Sequence, residues 1–155
     1  MIHHISIAAK QPLHVAEVIA ELCQGQAFPF PAYEGSYIAL NFDPHGTMVE
    51  VLPQGTELIP GETFRMSPMQ APTLTYSAFH AAISVPISEE QVHAIAQREG
   101  WHVKTCDREG YFSVIEVWIE NQQLLEFLPS TFAAQYRSFM QPDMLEQFVT
   151  AGATA

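Results

Sequence analysis

Thr47-Met48-Val49-Glu50-Val51-Leu52-Pro53 returns 76 residues later as Gln123-Leu124-Leu125-Glu126-Phe127-Leu128-Pro129. Each copy sets one carboxylate in the middle of an otherwise apolar strand. Removing the partner of a buried charge costs on the order of 3–5 kcal/mol, so both glutamates call for a compensating group. A histidine stands 46 residues before each of them, His4 before Glu50 and His80 before Glu126. Both histidines belong to strand-like stretches, Ile2-His3-His4-Ile5-Ser6-Ile7-Ala8 and Phe79-His80-Ala81-Ala82-Ile83-Ser84-Val85. The spacing asks whether His4, Glu50, His80 and Glu126 meet around one metal ion.

Outward from these strands, the two halves of the chain repeat one order of elements. Alternation over 2–8 puts His4, Ser6 and Ala8 on one face and His3, Ile5 and Ile7 on the other. Val15, Val18, Ile19 and Leu22 then recur at helical spacing, with Pro12 in the first turn and Gly25 assigned to the C-terminal cap. A short edge strand is expected over 28–32, limited by Pro29 and Pro31. Strands follow over 36–43 and 47–53, joined by the turn Asp43-Pro44-His45-Gly46. A four-residue turn would set Ala39 opposite Glu50 and Asn41 opposite Met48, so that Tyr37, Ala39 and Asn41 share the Glu50 face.

After a proline-containing linker over 54–77, which shows little periodicity and is long enough to lie across a cavity mouth, the pattern restarts. A strand over 79–85 precedes a helix opened by the capping box Ser88–Gln91 and closed by Gly100. Strands over 101–106, 111–119 and 123–128 complete the second set. A two-residue turn at Asn121-Gln122 would place Val117 opposite Glu126 and turn Glu116 to the other face, whereas an odd-length loop would reverse this. Phe132, Tyr136, Phe139 and Met140 mark a helix from Ser130, and a second short helix is expected after Pro142. Equal order at a constant offset identifies a duplication. The expected class is α+β: a first βαβββ module over 1–53, a linker over 54–77, a second module over 78–129 and a helical tail over 130–155.

Composition narrows the partners. Six Lys and Arg against 17 Asp and Glu leave a formal net charge of −11, which argues against nucleic acid and anionic membranes, since both are bound through cationic neutralisation. No run of 18 apolar residues and no signal-peptide pattern occurs, and a cytoplasmic protein is expected. Cys23 and Cys106 are too few for a disulfide framework and read as reduced. His14, His45, His93 and His102 fall on helix surfaces, a turn and an edge; of these, His45 lies nearest the expected site rim.

Two βαβββ modules, each opening on a strand like Ile2-His3-His4-Ile5-Ser6-Ile7 and closing on one like Met48-Val49-Glu50-Val51-Leu52, resemble the vicinal oxygen chelate superfamily over residues 2–129. That superfamily includes glyoxalase I, extradiol dioxygenases, and the fosfomycin and bleomycin resistance proteins. The resemblance implies a curved mixed sheet around a shared cavity and a divalent metal, Zn, Ni, Co, Mn or Fe, held by His4, Glu50, His80 and Glu126. Two imidazoles and two carboxylates would make a net-neutral site with such an ion. It also implies a small oxygenated substrate bound through adjacent oxygens, with Glu126 as first candidate base and Glu50 as second. Relatives form the site within one chain or between two, so a homodimer enters the expectation. Two other readings stay open: a non-heme iron dioxygenase with one carboxylate uncoordinated, and a non-enzymatic protein that captures an apolar small molecule. Lys10, Arg65, Arg98, Lys104, Arg108 and Arg137 form no cluster suited to a CoA polyphosphate.

Overall fold

The computed structural model describes residues 2–30, 34–59, 65–68 and 79–144. The first module runs β1 (His4–Ala9), α1 (Pro12–Cys23), β2 (Gln26–Pro29), β3 (Tyr37–Leu40) and β4 (Met48–Pro53). A backbone hairpin of β5 (Thr56–Ile59) and β6 (Arg65–Pro68) follows. The second module is β7 (Ala82–Ser84), α2 (Glu89–Arg98), β8 (His102–Arg108), β9 (Phe112–Ile119) and β10 (Gln123–Leu128), with α3 (Ser130–Phe139) after it. Each module forms a four-stranded mixed sheet, ordered β1-β4-β3-β2 and β7-β10-β9-β8. The first and last strands of each module lie parallel side by side. The two βαβββ modules and the α+β class expected from the repeat are therefore present.

The alternation of the sequence explains where the core lies. Ile7, Ala9, Val49, Val51 and Ala39 are buried on one face of the first sheet, and Leu125, Phe127, Ile115, Val117 and Ile119 on one face of the second. These two faces, with the apolar stripes of α1 (Val15, Val18, Ile19, Leu22) and α2 (Val92, Ile95, Ala96), make one continuous core across both modules. A satellite cluster of Val114, Leu128 and Ala133, joined by Phe132 and Tyr136, seats α3 on the opposite face of the second sheet. No helix among the described residues is long and apolar enough to cross a membrane.

The structure corrects several expectations. Seven residues, not four, separate β3 from β4, and the register becomes Ile38↔Glu50 and Leu40↔Met48. Ile38 and Leu40 therefore share the Glu50 face, and Tyr37 and Ala39 turn to the core. Three residues, Glu120-Asn121-Gln122, separate β9 from β10, so Glu116 and not Val117 stands opposite Glu126. Both loops are odd in length, and an odd loop inverts facing because side chains alternate with period two.

Gln24, not Gly25, takes the left-handed position closing α1, with φ 52° and ψ 36°. His80 lies just before β7, which begins at Ala82; the Gln123 side-chain amide donates to the Phe79 carbonyl at 2.6 Å. In the first module the corresponding bond is a backbone one, Met48 N–H to the His3 carbonyl at 3.0 Å, which is why β1 extends through His4. The interval expected as a linker without regular structure contains the β5–β6 hairpin. The Pro31–Ala32 end of the expected edge strand, most of the linker and the tail beyond residue 144 lie outside the described residues.

Polar contacts join the modules. Glu120 accepts from the backbone N–H groups of Lys10 (2.6 Å) and Gln11 (2.9 Å), supplying the acceptor that α1, lacking a side-chain cap of its own, needs at its N-terminus. Arg98 on α2 forms a fork with Glu21 on α1 at 2.6 and 3.0 Å and also reaches Glu99 at 2.7 Å, which meets His14 at 2.6 Å. The hydrogen bond from Arg98 lowers the pKa of Glu21. Burial works to raise that of Glu99, but hydrogen bonds from Arg98 and His14 outweigh it and the net shift is downward. A depressed folded-state pKa gives stability present above the ordinary value of 4.5 and lost as pH falls through the lowered folded values. Urea midpoints measured from pH 6 down to pH 3 should fall more steeply for the natural chain than for Arg98→Ala; parallel curves would mean that the clasp contributes nothing.

Candidate functional site

A cavity of about 940 Å³ is lined by residues of both modules. Its wall is mainly apolar, including Ile2, Met48, Phe79, Ile83 and Leu128, and its polar groups include His4, His80 and Glu126. His4 opens β1, opposite Met48, on the face away from the core. Glu126 sits mid-strand in β10, between Ala82 on one side and Glu116 on the other. Tyr136 and Arg137 of α3 reach the same wall, and Arg137 is the one Lys or Arg among the described lining residues. Cys23 also lines the cavity; burial, with a smaller effect of the Asp43 charge, pushes its thiol up to about 12, so it stays protonated and inert.

Three of the four residues selected from the repeat thus share one cavity, and Glu50 is not among the residues that line it. Glu50 Oε2 instead accepts a hydrogen bond of 2.7 Å from Ser6 Oγ, its register partner on β1. Glu126 is held differently. Nη2 of Arg108, at the end of β8, donates to Glu126 Oε1 at 2.7 Å and to Glu116 Oε1 at 2.8 Å. Side-chain exposure falls from 39% at Arg108 to 21% at Glu116 and 12% at Glu126, so the guanidinium sits at the wetter end of the triad.

Each glutamate that called for a partner therefore has one close at hand, a hydroxyl in the first module and a guanidinium in the second. Sequence reasoning missed both Ser6 and Arg108. Ser6 was legible as a neighbour of His4 on the same strand face. Arg108 becomes legible only with the correct register, which puts Lys104 opposite Glu116 and Arg108 one helical-free step of four residues along the same strand face.

The four residues as arranged do not fit a single ion. Among the described residues no group of three or more His, Cys, Asp or Glu side chains comes within reach of one metal. Glu50 is turned to Ser6, and one oxygen of Glu126 is engaged by Arg108. Glu126 Oε2 has no hydrogen-bond partner among the described residues. His4 and His80, from separate modules, and the Glu126 carboxylate are set in the same mainly apolar wall.

No protein-family model matches the sequence, and no curated protein matches it. Solved structures do. The fosfomycin resistance protein FosX from Listeria monocytogenes superposes with a TM-score of 0.56 at 12% identity, covering 87% of this chain and 97% of that one. A glyoxalase family protein from Bacillus anthracis gives 0.52 at 14% identity over 82% and 92%. The trypanothione-dependent glyoxalase I of Leishmania major gives 0.52 at 14% identity over 96% and 98%. At such identities the likeness speaks for the fold, and it agrees with the paired modules and strand order described above. The chain has the fold of the vicinal oxygen chelate superfamily.

Proposed function

We propose that the chain binds a compact, largely apolar molecule carrying adjacent oxygens in the cavity between its modules, and moves a proton on it in the manner of a glyoxalase-type isomerase. The observation that supports this most directly is that His4, His80 and Glu126, matched by the internal repeat, come from two modules to the wall of one cavity. Its volume of about 940 Å³ is within the range of roughly 300–1,000 Å³ usual for small-molecule sites.

In this reading the imidazoles of His4 and His80 donate to the two oxygens of the ligand. Glu126 Oε2 accepts a proton from the carbon beside the carbonyl. The electron pair of the broken C–H bond forms the double bond of an enediolate, and the carbonyl pair passes to the carbonyl oxygen, where the imidazole donor stabilises the charge. Glu126 then returns its proton to the former carbonyl carbon while the ligand's hydroxyl proton passes to the former carbonyl oxygen, leaving the carbonyl on the neighbouring carbon. The apolar wall excludes water, which strengthens these contacts.

The test uses a plain α-hydroxy ketone, hydroxyacetone, in deuterated buffer with chelator present. The chain should accelerate deuterium exchange at the hydroxymethyl carbon, and Glu126→Gln should reduce that rate by about 100-fold or more, the usual contribution of a general base. His4→Ala and His80→Ala should each weaken binding about tenfold, as expected for one lost hydrogen bond to a ligand. Binding without exchange would make the chain a capture protein; neither binding nor exchange would overturn the proposal.

A further inference from the structure

Arg108 is the feature of the second module that the proposed chemistry leaves unused. Glu116 and Glu126 are direct cross-strand partners on β9 and β10, an arrangement that sets two like charges face to face and is unfavourable by itself. A single guanidinium nitrogen resolves it, bonding one oxygen of each at 2.8 and 2.7 Å. Both contacts raise the pKa of Arg108, the bond to Glu126 more than that to Glu116, so the group is a permanent cation. The first module carries no equivalent arrangement: Ile38, not a second carboxylate, stands opposite Glu50, and a neutral hydroxyl serves it. The duplication has diverged at this point, and the second copy holds its own positive charge beside the cavity wall.

A divalent ion approaching Glu126 would meet that charge at close range. To ligate Glu126 Oε1 it would have to displace Arg108, which would leave Glu116 without its cation. We propose that Arg108 is a resident cation that takes the place of a divalent metal beside Glu126 and excludes metal from the cavity, leaving His4 and His80 to a metal-free ligand. Arg108 is on this view a positioning residue, acting on the cavity through Glu126.

The test needs no substrate. Protein stripped with chelator is titrated calorimetrically with Zn²⁺ and with Ni²⁺, comparing the natural chain, Glu126→Gln, Arg108→Met and the double variant Arg108→Met/Glu126→Gln. The natural chain should have no metal binding that depends on Glu126. Arg108→Met, which removes the charge and keeps an unbranched side chain, should bind about tenfold tighter or more, since one repelling unit charge is gone, and the double variant should lose that gain. Uptake of one equivalent by the natural chain that Glu126→Gln abolishes would overturn the proposal, as would a folded Arg108→Met that gains nothing. If Arg108→Met does not fold, the natural chain against Glu126→Gln decides alone. Failure would leave the ligand reading of the cavity intact, because the exchange experiment is run in the presence of chelator.

Discussion

Phe127→Ala is expected to destabilise the chain by about 3–5 kcal/mol, the range for emptying a buried aromatic site. Phe127 has no exposed surface and is the largest of the fully buried side chains among the described residues. It lies on the core face of β10, with Ile83 and Ile115 as its register partners on the two flanking strands, in the core that also holds α1 and the first sheet. Truncation removes its transfer free energy and leaves a cavity that three paired strands cannot collapse to fill. Against a typical total of about 5–15 kcal/mol, this is a large share, and the melting temperature should fall by roughly 10 °C or more for a chain of this size. Phe42→Ala is the control, because Phe42 is 64% exposed and should change stability by no more than about 0.5 kcal/mol. Urea denaturation of both variants checks the contrast. A loss under about 1 kcal/mol for Phe127→Ala would contradict a shared core that fixes β10, and with it Glu126.

Gly25→Ala is the second large effect, about 3 kcal/mol, at the upper end for overpacking. A Cβ at Gly25 would lie 1.9 Å from the Leu40 carbonyl oxygen and 2.9 Å from the carbonyl carbon. These are backbone atoms of β3, paired on one side with β2 and on the other with β4, so relief requires moving a central strand rather than a side chain. The displaced segment runs into Asn41 and Asp43, both on the cavity wall, and weaker ligand binding should accompany the lost stability. Gly46→Ala gives the comparison: a Cβ there meets nothing within 4 Å, and only its φ of +66° opposes it, a cost of roughly 1–2 kcal/mol. If the two variants lose equal stability in urea, close approach is not what requires glycine at position 25.

These positions also mark how far the chain could be read without its structure. Gly25 stood out as a cap because it follows a helix, yet Gln24 takes the left-handed backbone and Gly25 is required by a strand 15 residues away. The facing of His4 followed correctly from alternation within β1 alone. The facing of Glu116 did not, because it depends on how many residues the β9–β10 loop holds, and neither Asn121 nor Gln122 announces that Glu120 belongs to the loop. Glu120 and Asn121 both take positive φ, 49° and 56°, in a place where glycine would have marked the turn. The same parity error arose between β3 and β4, where the loop begins two residues earlier than its Asp43-Pro44-His45-Gly46 signal.

By itself the sequence determined the duplication, the paired βαβββ modules and the residues at which chemistry was to be sought, since periodicity and a constant offset are properties of order along the chain. Tertiary structure alone decided what neutralises the two glutamates. That choice belongs to side chains brought together by strand pairing, Ser6 across 44 residues from Glu50 and Arg108 across 18 from Glu126. A hydrogen bond of under 3 Å depends on register, and one residue more or less in a loop turns a facing side chain to the opposite side of the sheet.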